Sequence, residues 1–567
     1  MDAFVQPLYE LADFDAIIRQ LKKPGIVQVS GCLDSQKAHF TNGLLREFPF
    51  RLIVAENDLK AKAFYEDFRL YDPEVLYYPA RDLIFYQADI HGNLLTRQRI
   101  QVLRALLERE EVTIVTSIDS CLDCLVPLAV WKEKVIKIRN DSEIDLDRMK
   151  RHLVELGYEW AAQVEVPGQF SIRGGIMDVF SLTEDNPWRI ELWGDEVDSI
   201  RSFDAESQRS IENLEEITIY PATEVVLDKE TIRQGIKAIE KEAQKSQKKF
   251  RDEMKTEEGA RVRQIAAELK DQLEEMEHIA GAESFVRYFY KKTESLLEYL
   301  PENTLVVIDE PNRLTEHAKT TEEEFRESMI HRLEKGYLLP GQMEVIRNHQ
   351  EVVHRFHQMH TLSLSTMEPR GNAWNFTMEM QLTVKSVNPY NNSFEMLVKD
   401  LLRWKKSGYR MLLLSPSRTR AARLAKDLQD QELSAFYSED PEELIQPGQI
   451  KVTWGRVSRG FEYPMVKYVV ISETDIFGKE KKKKRKKSQY SGKQIQSFSE
   501  LSVGDFVVHE NHGLGVYRGI EKMEVDGVVK DYIKIEYAGK SNLYILATQL
   551  DVLQKYAGSD AAKTPKL

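Results

Sequence analysis

Apolar and polar positions alternate in different ways along the chain, and the first stretch has the pattern of buried strands and helices. Within residues 1–125 the apolar runs GIVQVSG, RLIVAEN and VTIVTS are separated by helical stretches such as LLTRQRIQVLRALLERE. Apolar strands separated by helices are typical of a parallel sheet. Residues 126–220 carry alternating strands such as RIELWGDEVDSIRSF and fewer helices, which predicts an inserted α+β domain.

A helical period dominates residues 228–280, which are also highly charged. Apolar side chains fall on one face from Ile232 to Met254 and repeat after Gly259, so the spacing predicts a long helical hairpin. The run TLVVIDEP (304–311) then returns to a buried-strand pattern. Residues 368–378 (EPRGNAWNFTM) are predicted to be a linker.

The last third of the chain changes character twice. Residues 379–478 form a second α/β pattern with the strands RMLLLSP, IKVTWG and KYVVISE. Residues 479–494 (KEKKKKRKKSQYSGKQ) have no apolar face, which is typical of a linker. From 501 to 556, short alternations are separated by glycine turns, and Asp526-Gly527 indicates a hairpin. This pattern predicts a small, bent antiparallel barrel that ends in a short helix.

Charge and composition narrow the classes of function. The chain carries 79 Lys and Arg against 92 Asp and Glu, a net charge of −13, so its overall charge does not indicate nucleic-acid binding. The N-terminus has no secretory pattern and no apolar run approaches the ~20 residues of a spanning helix, so we expect a cytoplasmic protein that does not enter the membrane.

Neither the cysteines nor the histidines predict a metal site. Cys121 and Cys124 have CxxC spacing, but Cys32 is the single further cysteine, so all three are expected to be small core residues. His509 and His512 have HxxH spacing, and two ligands are too few for a structural zinc site.

A partial phosphate-loop signature begins at Gly31. The sequence G-C-L-D-S-Q-K-A places Lys37 correctly for GxxxxGK[ST], but Gln36 replaces the second glycine and Ala38 replaces the hydroxyl residue that would hold Mg²⁺. The pair Asp309-Glu310 follows the strand LVVI, where an ATP site carries acidic residues. We therefore predict the remnant of a nucleotide site, with no catalytic residue and no bound cofactor.

Several passages together resemble the transcription-repair coupling factors, the Mfd family. RLIVAENDLKAKAFYEDF and RIQVLRALLERE look like the first domain of the excision-repair protein UvrB, and GQFSIRGGIMDVF with RIELWGDEVDSI looks like the UvrA-binding domain of both proteins. VSRGFEYPMVKYVVISETDIFG resembles the family's third domain. VVHENHGLGVY resembles its polymerase-interacting domain, which CarD-type regulators share.

The resemblance covers nearly the whole chain, in the order of the family's domains. It implies that the chain is the N-terminal part of such a protein. YYPARDLIFYQADIHGN is too short to hold the DNA-gripping hairpin of UvrB. No intact ATPase motif occurs in the 567 residues, so ATP and Mg²⁺ would belong to motor domains that the chain lacks. A complete member of the family would be an ATP-dependent DNA translocase, whereas this chain is expected not to be an enzyme.

The pattern and the resemblance together predict an α/β multidomain fold. It consists of a degenerate RecA- or helicase-like parallel sheet with an α+β insertion, a second α/β domain, and a C-terminal SH3- or Tudor-like barrel. The predicted domains are a UvrB-like domain 1a at 1–125, a UvrA-binding-like domain at 126–220, a UvrB-like domain 1b with the helical hairpin at 221–367, a third domain of unknown role at 379–478, a basic linker at 479–497, and the CarD-like barrel at 498–558.

The resemblance also implies binding residues. Two arginines and an aromatic side chain on one sheet face contact UvrA in the family, and they match Arg173, Arg189 and Trp193, although the family usually has phenylalanine at the last position. The polymerase contact matches Met523, with Glu524 beside it. Without the resemblance, Met523 would fit equally well in the barrel core. The alternative for Trp193, a core residue with Arg189 as a solvated neighbour, is less favoured than the binding role.

These observations favour an adaptor that joins stalled RNA polymerase, through its β subunit, to UvrA. A monomer is expected, and weak or no DNA binding, because the run from Lys481 to Lys487 suits an extended linker better than a nucleic-acid site. Two alternatives stay open at this point. One is a UvrB-like ATP-dependent damage-recognition helicase, which Gln36 and Ala38 disfavour. The other is a CarD-type transcription regulator, which explains only the last tenth of the chain.

Overall fold

The structure, a computed structural model, contains two compact units. One comprises Met1–Ile84 with Asn93–Lys479, and the other Phe85–Gly92 with Glu480–Leu567. The residues that it describes are 3–44, 46–81, 93–274, 282–369, 371, 374–478, 492–494, 504–509, 513–525, 528–536, 542–546 and 553–556.

A seven-stranded parallel sheet forms the first layer of the larger unit, which confirms the predicted α/β class. Its strands, in spatial order, are Phe376–Gln381, Gly25–Ser30, His360–Leu364, Leu305–Asp309, Phe50–Ala55, Val112–Ser117 and Leu76–Tyr78. The helices that connect and cover them include Phe14–Leu21, Asp34–Asn42, Asp58–Phe68, Asn93–Glu108, Pro311–Glu334 and His349–Gln358. The interior strands are buried, as both faces of a parallel sheet require.

One edge of this sheet lies partly in the predicted linker. Phe376–Gln381 pairs in parallel with Gly25–Ser30. Its residues FTMEMQ alternate between half-buried and exposed positions, which is the period of a strand. The linker prediction for 368–378 was therefore wrong at its C-terminal end. The Pro, Gly and Asn residues just before the strand indicated a loop more strongly than the short apolar-polar alternation indicated a strand.

The inserted domain is built on a six-stranded sheet, as its alternating pattern predicts. Its strands, in spatial order, are Ser210–Leu214, Glu196–Phe203, Trp188–Trp193, Ile176–Val179, Gln169–Arg173 and Glu159–Trp160. All neighbours are antiparallel except the last pair. A smaller sheet pairs Ile136–Arg139 with Glu216–Ile219, and the helix Leu146–Glu155 lies between them in sequence.

A buried ionic cluster anchors the C-terminal end of this insertion to the first sheet's helices. Arg99, on the helix Asn93–Glu108, donates from Nε to Glu224 Oε2 at 2.8 Å and from Nη2 to Asp123 Oδ2 at 3.1 Å. Burial opposes the ionised form of Glu224, but Arg81 and Arg99 outweigh it and lower its pKa to about 2.

Two antiparallel helices, Lys229–Asp252 and Thr256–Glu274, confirm the predicted helical hairpin. Their buried side chains include Ile232, Ile239 and Phe250. The turn lies earlier than Gly259 suggested, and Met254 stands in it with positive φ and 89% exposure, so its prediction as part of the apolar face was wrong.

The second α/β layer of the larger unit shares a hydrophobic core with the first. Its strands, in spatial order, are Lys385–Ser386, Phe461–Tyr463, Tyr468–Ile471, Arg410–Ser415, Ile450–Trp454 and Ala435–Tyr437. The helices Phe394–Lys406 and Arg418–Gln429 cover one core of this layer. Leu412, Leu414 and Val470 instead pack with buried residues of the first sheet, so the two layers form a continuous interior.

The smaller unit contains a six-stranded antiparallel sheet. Its strands, in spatial order, are Gly492–Gln494, Leu553–Tyr556, Phe506–His509, Gly513–Val525, Val528–Glu536 and Asn542–Leu546. Val525 pairs with Val528, so the two long strands form the hairpin that Asp526-Gly527 predicts. Leu553–Tyr556 is a strand rather than part of the predicted terminal helix, and closure into a barrel stays a prediction.

Candidate functional site

The remnant of the phosphate loop is closed by the chain itself. Gly31 follows the strand Gly25–Ser30 and has φ +81°, and a Cβ atom at this position would lie 2.1 Å from the carbonyl oxygen of Leu382. The next helix, Asp34–Asn42, is buried from Ser35 to Asn42. The loop therefore borders on protein where a nucleotide site needs open space for phosphate.

Lys37 is bound by the acidic pair that sequence analysis assigned to the same site. Its Nζ lies 2.6 Å from Asp309 Oδ1 and 2.7 Å from Glu310 Oε1, and its side chain is 1% exposed. Burial disfavours the charged amine, but attraction to both carboxylates outweighs it and raises the pKa of Lys37. The lysine is thus an internal counter-ion, and Glu310 also accepts the backbone N–H of Thr366 at 2.8 Å.

The two residues that break the phosphate-loop signature lie inside the protein. Gln36 Nε2 donates to the hydroxyl of Tyr463, on the second α/β layer, at 2.7 Å. The same hydroxyl lies 3.1 Å from His39 Nδ1. His39 Nε2 donates to the carbonyl of Phe4, so in the neutral ring Nδ1 carries no proton and accepts from the hydroxyl. Ala38 is fully buried. We call this contact between the helix Asp34–Asn42 and the second α/β layer the layer joint.

Buried polar groups extend the layer joint. Ser458 donates to Asp67 from its backbone N–H at 2.6 Å and from its hydroxyl at 2.7 Å. Burial raises the pKa of Asp67 to about 6, against the opposing effect of these two hydrogen bonds. Burial also lowers the pKa of His39 to about 4. Arg410 binds both carboxylate oxygens of Glu10, at 2.7 and 2.6 Å.

The predicted UvrA-binding arginines converge on one carboxylate of the inserted sheet. Arg189 donates from Nε to Asp178 Oδ1 at 2.7 Å and from Nη2 to Oδ2 at 2.8 Å. Arg173 Nη2 donates to the same Oδ2 at 2.8 Å. Gln208 Oε1 accepts from Arg189 at 3.1 Å, and the guanidinium lies 4.4 Å from the ring centre of Phe203. We call Arg173, Arg189 and Trp193 the arginine face.

Strand alternation places Trp193 on the same side of the sheet as Arg189. Along Trp188–Trp193 the side chains of Trp188 and Ile190 are buried, and those of Arg189 and Glu191 lie on the opposite face and are half-buried. Trp193 continues that face and is 84% exposed. The structure therefore brings the three predicted residues to one surface, and it excludes Trp193 from the core.

Asp178 is the residue of this surface that sequence analysis missed. It is 1% exposed and lies opposite Arg189 in the sheet register. A signal was present, because Asp178 is the single charged residue in the apolar strand Ile176–Val179. A buried carboxylate in such a strand requires a charged partner nearby.

The predicted polymerase contact lies on the long hairpin of the smaller unit. Met523 and Glu524 belong to the strand Gly513–Val525 and pair with Lys530 and Val529. Their side chains lie outside what the structure describes, so their role stays a prediction.

Metal binding finds no support in the described ranges, where no three His, Cys, Asp or Glu side chains are grouped to hold an ion. The three cysteines are buried and free, as predicted. His509 lies on a strand, and His512 falls outside the described residues. No helix among the described residues is long and apolar enough to cross a membrane.

Two segments match known domain families. Residues 136–225 match the UvrB interaction domain, which coincides with the inserted sheet and its arginine face. Residues 501–557 match the CarD-like/TRCF RID domain, which coincides with the sheet of the smaller unit. The chain thus combines the domain types that the sequence motifs indicated.

The whole chain is also similar to part of several longer proteins. The chain is 33% identical over 580 aligned positions to the transcription-repair-coupling factor of Bacillus subtilis (strain 168), a match that covers 100% of this chain and 48% of the relative. The factor of Staphylococcus haemolyticus (strain JCSC1435) is 30% identical, and that of Staphylococcus epidermidis (strain ATCC 12228) 28%; each match covers 95% of this chain and 46% of the relative. The resemblance to the transcription-repair coupling factors is therefore confirmed, and the chain spans about half the length of these relatives.

Proposed function

We propose that this chain is the adaptor region of a transcription-coupled DNA repair factor. It would bind stalled RNA polymerase, at the β subunit, through residues 498–558, and UvrA through the arginine face. The observation that carries the proposal is the presence, on one chain, of a UvrB interaction domain with an exposed tryptophan and of a CarD-like/TRCF RID domain. The two domains suit two different partners.

The arginine face has the composition of a protein-binding surface. Tryptophan and arginine are the residue types most enriched at binding hot spots. An 84% exposed Trp193 keeps its apolar surface in water, and covering it with a partner would recover the hydrophobic free energy. Because the arginines are already held by Asp178, little side-chain entropy would be lost on binding.

The polymerase-binding part of the proposal rests on strand pairing. Gly513–Val525 and Val528–Glu536 form a long hairpin, and a sheet edge can accept a strand from a partner. Met523, with Glu524 beside it, would contact the β subunit. In this proposal the sheet closes into an SH3- or Tudor-like barrel, and the chain acts as a cytoplasmic monomer.

The chain would not use ATP itself. Lys37 is bound by Asp309 and Glu310, and Gln36 is bound by Tyr463, so the residues of the remnant are engaged within the protein. We place the ATP-dependent translocase activity in the part of the relatives that this chain does not cover. The same contacts disfavour the alternative of a UvrB-like helicase.

A bridging assay tests the proposal. Immobilised RNA polymerase should retain UvrA only when the chain is present. Alanine at Arg173, Arg189 and Trp193, combined with Asp178→Asn so that no buried carboxylate is left without a partner, should abolish the retention of UvrA while the chain itself still binds polymerase. Loss of one such anchor typically costs at least about 2 kcal/mol, roughly 30-fold in affinity.

A matched variant controls for general surface effects. Arg418, Arg420 and Trp454 are the same residue types and are exposed on the second α/β layer, so their triple alanine variant should bridge normally. Equal UvrA affinity in the Arg173, Arg189 and Trp193 variant would refute the assignment.

A further inference from the structure

The two arginines of the arginine face are held differently. Arg189 makes two hydrogen bonds to Asp178, one to Gln208 and a ring contact with Phe203. Arg173 makes one hydrogen bond, to Asp178, and its side chain is 50% exposed. A guanidinium has five N–H donors, so Arg173 keeps most of its donors for a further acceptor. Among the described residues, none besides Asp178 accepts from it.

The charges in this group do not balance. Two guanidiniums share one carboxylate, which leaves one positive charge in excess, and that excess is most accessible at Arg173. Arg189 is largely buried against the sheet and compensates the charge of Asp178. A planar guanidinium with free parallel donors binds carboxylates and phosphates in bidentate fashion, and on a protein partner the complementary group is a carboxylate.

We propose that Asp178 is a positioning residue that aims Arg173 at a carboxylate of the partner protein. The inference rests on the proposed function, since UvrA is the partner in question. Asp178 takes one N–H of Arg173 and holds its guanidinium on the sheet face that also carries Trp193. Without it, Arg173 would be a mobile side chain, and binding would have to order it.

A double-mutant cycle separates positioning from general support of the fold. Asp178→Asn keeps the shape but removes the charge, and we expect UvrA affinity to fall about tenfold. In the Arg173→Ala background the same change should cost less than about threefold, because Arg173 is already absent and Arg189 keeps its hydrogen bond to Gln208 and its contact with Phe203. Glu322→Gln is the control, since Glu322 is likewise a buried carboxylate but pairs with Arg326 on the helix Pro311–Glu334, outside the inserted sheet; it should leave affinity unchanged.

Folding is measured in parallel by thermal melting. If Asp178→Asn alone unfolds, because it leaves Arg189 buried without its partner, the cycle is repeated in the Arg189→Gln background with Arg173→Lys in place of Arg173→Ala, so that neither Arg189 nor Asp178 is left as an unpaired buried charge. Equal losses with and without Arg173 would show a structural role and overturn the inference. Normal UvrA binding by Asp178→Asn would overturn it as well, while leaving the proposed function standing. Absence of UvrA binding by the unmodified chain would overturn both.

Discussion

At the scale of single residues, the layer joint buries two titratable groups whose pKa values move in opposite directions. Asp67 ionises near pH 6 in the folded chain, above its usual value of 3.8. His39 gains its proton near pH 4, below its usual 6.5. Between about pH 4 and pH 6, Asp67 is ionised in the unfolded chain and still protonated in the folded chain. Raising the pH through this range therefore lowers the free energy of unfolding through Asp67. His39 has the opposite effect over the same range, because its imidazole is protonated in the unfolded chain and neutral in the folded chain. Raising the pH therefore increases the free energy of unfolding through His39.

Replacing Asp67 by asparagine should therefore leave the pH dependence of stability that His39 causes. The side-chain carbonyl of the introduced asparagine can still accept the backbone N–H of Ser458. Relative to the unmodified chain, we expect the Asp67→Asn variant to gain about 3 kcal/mol of stability between pH 4 and pH 7. Melting temperatures measured across this range at constant ionic strength would show it. Asp427→Asn, at an exposed helix position, is the control; identical pH profiles for the two variants would contradict the expectation.

At the scale of elements, the period and spacing of apolar residues predicted the helices and strands that form from local sequence. The helical hairpin and the strands of the inserted sheet follow from their apolar periods, because one face of each must be buried. The position of the hairpin turn was missed, since Met254 adopts a positive φ that neither its type nor its spacing indicates. The contact of Gln36 with Tyr463 joins residues 427 positions apart, and no local pattern encodes such a partner. Asp178, by contrast, was indicated by its place in an apolar strand, but its two partners were recognised only in the structure.

The helix Asp34–Asn42 provides a test of the layer joint. Gln36→Gly restores the glycine of the phosphate-loop signature, but it removes a buried hydrogen bond and introduces glycine into a helix, at a total cost of about 2 kcal/mol. We expect a lower melting temperature and no gain in ATP binding, because Lys37 remains paired with Asp309 and Glu310. Titration with a fluorescent ATP analogue would measure the binding.

Gln264→Gly, at an exposed helical position of the hairpin, controls for the effect of glycine itself. It should lower stability by only about 1 kcal/mol. Sub-millimolar ATP binding by the Gln36→Gly variant would show that the loop is closed by this one side chain, against our interpretation.

The strand Gly513–Val525 carries the prediction for polymerase binding. Met523→Arg would place an unpaired charge in the contact, at a cost of several kcal/mol, enough to abolish a complex of micromolar affinity. If Met523 faces the partner, the isolated smaller unit should melt as before while it no longer binds polymerase in a pull-down. If Met523 is instead a core residue, melting temperature and binding should fall together. An unchanged melt with normal binding would remove Met523 from the contact.

At the scale of the whole molecule, the chain divides where the sequence becomes lysine-rich. The larger compact unit ends at Lys479, and the smaller one continues from Glu480. The predicted basic linker at 479–497 begins at this boundary, although most of it lies outside the described residues. Lysine-rich segments without an apolar face are preferred sites of proteolysis. Brief digestion with trypsin should therefore cut first within 479–494 and release a folded C-terminal fragment, which mass spectrometry would identify. A chain that stays intact there while it is cut elsewhere would contradict the linker interpretation.

The strand Phe376–Gln381 has a consequence for how the first module can be isolated. It covers the hydrogen-bonding edge of Gly25–Ser30, a largely apolar strand that is buried from Ile26 to Ser30. A fragment that stops at residue 367, where the UvrB-like part was predicted to end, would leave that edge bare, and a bare apolar edge recruits strands from other copies. Aggregation of such a fragment would reflect the choice of its end point rather than an unstable domain. A fragment that continues through Gln381 brings its own protective strand.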